Sequence, residues 1–123
     1  MAVLLVLLVV VIGFGVWTVQ ALRGTADELG MRIDRMQALV KQERWQEAER
    51  ALDGLGGRWE KSKKWWTAFV DHQEIDNIDF SIVRIREYLW AEDEELALGE
   101  AAALKKMIEH IPEKESFTLE NIL

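Results

Sequence analysis

Residues 1–19, MAVLLVLLVVVIGFGVWTV, carry no charged side chain, and the first one in the chain is Arg23. Nothing else in the sequence limits the fold as strongly. Nineteen helical residues rise about 28 Å, close to the roughly 30 Å hydrocarbon thickness of a bilayer. The rest of the chain is charged and amphipathic. The pattern predicts a transmembrane anchor over 1–20 and one small helical domain over 21–123. Roughly 104 residues follow the run, enough for a single thin core.

Trp17 lies near one end of the run, where an amphipathic ring favours the membrane interface. Gly13 and Gly15 are two apart, which is not the spacing that lets two membrane helices pack closely. A retained anchor is preferred to a cleavable signal peptide, because the run is longer than a usual signal core and has no basic residue before it. Val19 and Ala21 would supply the small residues for cleavage after Ala21 on the other reading. Orientation is pulled two ways. Arg23, Arg32 and Arg35 follow the run, and the positive-inside rule taken alone places the domain in the cytoplasm.

The net charge of −7 is unevenly spread: residues 20–64 hold 10 Lys/Arg and 8 Asp/Glu, whereas residues 65–123 hold 5 and 14. An acidic C-terminal half argues against nucleic acid as a partner, since phosphate contacts need Lys and Arg. The chain has no cysteine, which removes disulfides, thiolate catalysis and thiolate-bound zinc together.

Apolar residues recur at helical spacing throughout. Thr25-Ala26-Asp27-Glu28 fits a capping box, and Ala26, Leu29, Ile33, Met36 and Val40 predict a helix over about 25–42. A stripe of Trp45, Ala48, Leu52, Leu55, Trp59, Ser62, Trp66 and Phe69 predicts one helix over about 44–70. Its period holds through Gly56-Gly57, a pair that would let another helix come close. Ile75, Ile78, Ile82, Ile85 and Leu89 predict a third helix over about 73–91. Leu98, Ala101, Leu104 and Ile108 predict a fourth over about 94–110, ended by Ile111-Pro112. Phe117, Leu119, Ile122 and Leu123 then mark a short docked tail.

A weak repeat at an offset of 49 maps Ile33, Met36, Val40, Ala48 and Leu55 onto Ile82, Ile85, Leu89, Ala97 and Leu104. It suggests helical hairpins of the tetratricopeptide kind, although an antiparallel bundle of about four helices accounts for the same pattern. Either way the class is all-α.

Few residues carry chemistry. On a helix, His72, Asp76 and Asp79 share one face, and His110 could add a second imidazole, so a divalent cation such as zinc is a candidate ligand. The bland reading is a polar network between helices or an acid-rich helix start. As a contact motif the same stretch offers Asp71, His72, Glu74, Asp76 and Asn77. Trp65 and Trp66 stand beside Lys61, Lys63 and Lys64, a mixture that suits a lipid headgroup or a glycan and suits local packing more often. No nucleophile–base pair or glycine-rich phosphate loop is visible. The reading is therefore non-enzymatic, with no cofactor.

Several motifs are long enough to compare with known families: Trp45 to Ala48 as W-x-x-A, Trp59-Glu60-Lys61, Asp71–Ile78 as D-H-x-E-I-D-N-I, and EHIPEKE followed by LENIL over Glu109–Leu123. With the apolar start, the chain resembles the bacterial Domain of Unknown Function 4363 family over nearly its whole length. The resemblance implies a small, membrane-associated helical protein without an assigned activity, found mainly in spore-forming Gram-positive bacteria. It brings no catalytic residues, and it favours a domain on the outer face of the membrane. Members commonly carry Lys or Arg before the apolar run, and this chain does not. The expected role is an interaction or structural module of the bacterial cell envelope, held by residues 1–20 in the bilayer and facing an unknown protein partner. The alternative is a metal-binding domain using His72 and Asp76.

Overall fold

The computed structural model describes residues 1–122, with side chains through Asn121. It is all-α: α1 (Ala2–Lys41), α2 (Trp45–Trp66), α3 (His72–Trp90) and α4 (Glu94–Ile122). There is no strand among the described residues. Each helix packs against the next, and α4 closes the ring by packing along α1. The order is up-down-up-down. A tetratricopeptide solenoid would stack first helix on first helix, α1 on α3, and that seam is absent from the four that build this molecule. The molecule is a closed bundle.

The stripes read from the sequence meet along its axis. Leu29, Ile33 and Met36 of α1, Leu52, Leu55 and Trp59 of α2, Ile78 and Ile85 of α3 and Leu104 of α4 are fully buried. Burial of each such side chain contributes about 1.5–3 kcal/mol. Ion pairs line the seams: Glu28–Arg58 at 2.7 Å, Asp53–Arg86 at 2.7 Å, Arg84–Glu100 at 2.6 Å and Asp34–Lys105 at 2.8 Å. These pairs are partly exposed and stabilise by at most about 1 kcal/mol each.

The offset of 49 survives in the backbone. Glu43 and Glu92 both take left-handed conformations, with φ of 57° and 52°. The Glu43 N–H donates to the carbonyl of Val40 and that of Arg44 to Leu39; 49 residues on, Glu92 donates to Leu89 and Asp93 to Tyr88. Two hairpins, α1–α2 and α3–α4, thus share one turn geometry.

Two local signals are overridden. The Thr25 capping box does not start a helix, because α1 runs unbroken from Ala2. With a helical turn already upstream, the first N–H groups after Thr25 have carbonyl partners and nothing needs capping. The Thr25 hydroxyl instead donates to the Ala21 carbonyl at 3.2 Å, and Glu28 turns to Arg58. Nor does Pro112 stop α4, which continues to Ile122. An interior proline costs about 3 kcal/mol. Burial of Ile111 and Pro112, and the packing of Leu119 on Gly15, offset that cost. The tail expected as a short separate turn is therefore the last part of α4. The expected docking of the Ile122 and Leu123 side chains lies outside the described residues.

Gly56 and Gly57 sit inside α2, which passes through them as one helix. Among the described residues, no atom of another helix lies within 4 Å of a Cβ placed on either glycine, so none of them uses the close approach the pair permits.

Candidate functional site

Three regions hold the residues singled out in the sequence or exposed by the fold. The first is the acidic stretch at the start of α3. Asp71 is the N-cap, its carboxylate accepting the Gln73 N–H at 3.2 Å. His72 and Asn77 are exposed, and Asp76 is half-buried. Glu74 lies 3.6 Å from Lys114 of α4. Asp79 faces α2, where it accepts the Trp59 Nε1–H at 2.7 Å and lies 3.3 Å from the Lys63 ammonium. Burial opposes the charge on Lys63, but hydrogen bonds to Glu60 and Asp79 outweigh it and hold the ammonium above the ordinary lysine pKa.

His72, Asp76 and Asp79 do share α3, but the Asp79 carboxylate is committed to α2, and His110 is exposed on α4. Among the described residues no three His, Asp or Glu side chains are grouped so as to hold a metal ion. Asp79 and Glu74 join helices together.

The second region is one end of the bundle, here termed the foot, where the α2–α3 turn and the end of α4 reach α1. Aromatic rings run through it in a continuous ladder. Trp59 meets Trp66 edge-on at 5.4 Å, Trp66 meets Trp65 at 6.2 Å, and Trp65 meets Phe69 at 6.4 Å. Phe69 then meets Phe14 at 6.2 Å, and Phe14 meets Trp17 at 6.0 Å. Rings at such separations attract beyond their buried area by about 0.5–1.5 kcal/mol per pair. Trp66 is fully buried, and its indole N–H has no hydrogen-bond partner among the described residues. Trp65 is half-buried, beside the exposed Lys61 and Lys64. Phe14 belongs to the apolar run, so the run enters the bundle instead of ending below it. Thr18, Val19 and Leu22 are buried there.

The third region is the outer face of α3. Phe80, Val83 and Trp90 are 59%, 58% and 79% exposed and follow one another at 3 and 7 residues, so they share a face. Beside Val83 runs a shallow groove between α2 and α3, about 350 Å³, whose lining includes Gly56, Gly57 and Ile82. This second apolar face lies off the core stripe of α3. The signal that could have found it was three large apolar residues on helical spacing of their own.

Fold and surface together define an all-α four-helix bundle whose first helix is long and apolar enough to cross a membrane. The family model described as "Domain of unknown function (DUF4363)" matches residues 16–122, and the chain belongs to that family. No curated protein and no solved structure matches it.

Proposed function

We propose that this chain is a single-pass, membrane-anchored bundle acting as a non-catalytic interaction module of the bacterial cell envelope. Its domain lies on the outer side of the membrane, and the outer face of α3 is its contact surface. The observation that carries the reading is the Phe80–Val83–Trp90 stripe. Phe80 and Val83 adjoin one turn apart and Trp90 stands two turns further on, beyond the exposed Glu87; together they put more apolar surface on one face than a lone exposed residue does, and such surface is what partners bury. The adjoining Gly56-Gly57 groove gives a partner backbone room to approach. Retention of the anchor is supported by its packing: cleavage after Ala21 would strip Phe14, Thr18 and Val19 from the bundle.

A photo-crosslinking residue at Val83, compared with one at the exposed Lys106 of α4, tests the surface in cells. The reading requires a discrete adduct at Val83 that Trp90→Asp removes while the purified variant melts like its parent. Equal adducts at both positions would refute it. Protease treatment of intact cells carrying a C-terminal epitope tests the side of the membrane. The tag should be removed without lysis, and its survival until lysis would place the domain in the cytoplasm. The mass of the membrane-extracted chain tests retention of residues 1–21.

A further inference from the structure

The foot of the bundle takes the apolar run into its own packing. The Phe69 ring packs on Phe14, and a Cβ placed on Gly15 would lie 2.9 Å from Leu119 Cδ1. On the anchored reading, the foot therefore stands level with the end of the membrane-spanning run and not above it.

A second observation fixes how deep the foot goes. The α2–α3 turn is Thr67-Ala68-Phe69-Val70-Asp71, and its first four residues carry no charge and no titratable group. Trp17 of α1 and Phe117 of α4 are exposed at the same end of the bundle. Loops are ordinarily polar because they face water, and the other two turns of this molecule are Gln42-Glu43-Arg44 and Ala91-Glu92-Asp93. Charge does return at the rim of the foot, where Asp71, His72 and Glu120 are exposed. Those groups would be costly in the acyl region and are at ease among headgroups. Contact with the apolar run draws the foot down, and the rim charges stop it.

We infer that the foot is itself a membrane-contact surface: the Thr67–Val70 turn, Trp17 and Phe117 sit in the headgroup layer of the leaflet that α1 leaves. This rests on the anchored reading above. The layer is about 5–7 Å deep on each side, and it is where tryptophan concentrates.

The absence of cysteine allows a clean test. Single cysteines at the exposed Ala68, at Val9 in the anchor and at Ala91 at the opposite end of the bundle are labelled with an environment-sensitive fluorophore. The full chain is then reconstituted into phosphatidylcholine–phosphatidylglycerol vesicles bearing nitroxide on the headgroup or deep in the acyl chain. The label at 68 should emit to the blue of that at 91 and lose most of its intensity to headgroup nitroxide. The label at 9 should respond chiefly to the deep nitroxide, and that at 91 to neither. Phe117→Glu, at an exposed site, should weaken quenching at 68 and leave quenching at 9 unchanged. If 9 is quenched and 68 behaves like 91, the foot stands clear of the membrane and the inference is wrong. If 9 is unquenched, anchoring itself fails, and the foot contact with it.

Discussion

The two ends of this bundle are built by opposite means. At the far end, both turns are short, charged and hydrogen-bonded, each with a glutamate in the left-handed region and an identical pair of backbone hydrogen bonds. At the foot, the turn carries one charge, at Asp71, a ladder of aromatic rings joins the helices beside the Glu74–Lys114 pair, and the end of α4 lies against the apolar run. The far end is specified by backbone geometry and the foot by side-chain packing.

Four substitutions can break or sharpen this contrast, taken from the largest effect to the smallest. Asp79→Ala strips the buried Trp59 N–H and the half-buried Lys63 of their common acceptor. The cost of an unpaired buried donor predicts a loss of about 2–3 kcal/mol in denaturant unfolding. A loss under about 0.5 kcal/mol would mean that water replaces the carboxylate easily. Gly15→Leu sets a branched side chain against Leu119 and should release the end of α4, with a penalty of about 1–3 kcal/mol from overpacking. Trypsin cleavage after Lys114 should accelerate, whereas the far end stays protected.

Glu92→Gly removes the strain of a positive φ, and the extra freedom that glycine has in the unfolded chain takes part of the gain back. A net stabilisation of about 0.5 kcal/mol is expected, and Glu43→Gly should match it if the two turns are equivalent. Glu115, half-buried near the foot, is the subtlest. Burial raises its pKa, Lys114 opposes that, and Glu74 adds to it. The folded state therefore holds this proton more tightly than the unfolded chain. The stability it contributes is complete below the ordinary value of 4.5 and is lost as pH rises through the elevated one. Glu115→Gln should flatten that slope, so its stability relative to the parent increases from acid towards neutral pH.

The period of the sequence was enough to read four amphipathic helices, their order and their core faces, because a 3/4 spacing survives whatever the helix packs against. Ile33, Met36, Leu55 and Leu104 are all buried as their stripes required. Local start and stop signals were less informative. Thr25 and Pro112 carry the usual punctuation, but the upstream anchor and the docking of α4 outweigh about 1–3 kcal/mol of local preference. The acidic stretch was visible as a patch; that Asp79 serves Trp59 was not, since nothing in the spacing says which of its neighbours has a hydrogen to donate. The ladder from Trp59 to Trp17 was hidden for another reason. Its join, Phe69 on Phe14, links residues 55 apart, one in the apolar run and one in a stripe of the charged domain.

Because α1 continues without a hinge from the apolar run to Lys41, anchor and domain share one stiff rod of 40 residues. Such a shaft carries orientation as well as position. On the anchored reading, the ordinary membrane-helix tilt of about 20° swings the far end sideways by roughly 10 Å, and twist about the shaft carries α3 round with it. The Phe80–Trp90 face would then be offered at a set height and within a narrow arc above the lipid. Any partner it takes must come within that reach, as another membrane-bound protein does.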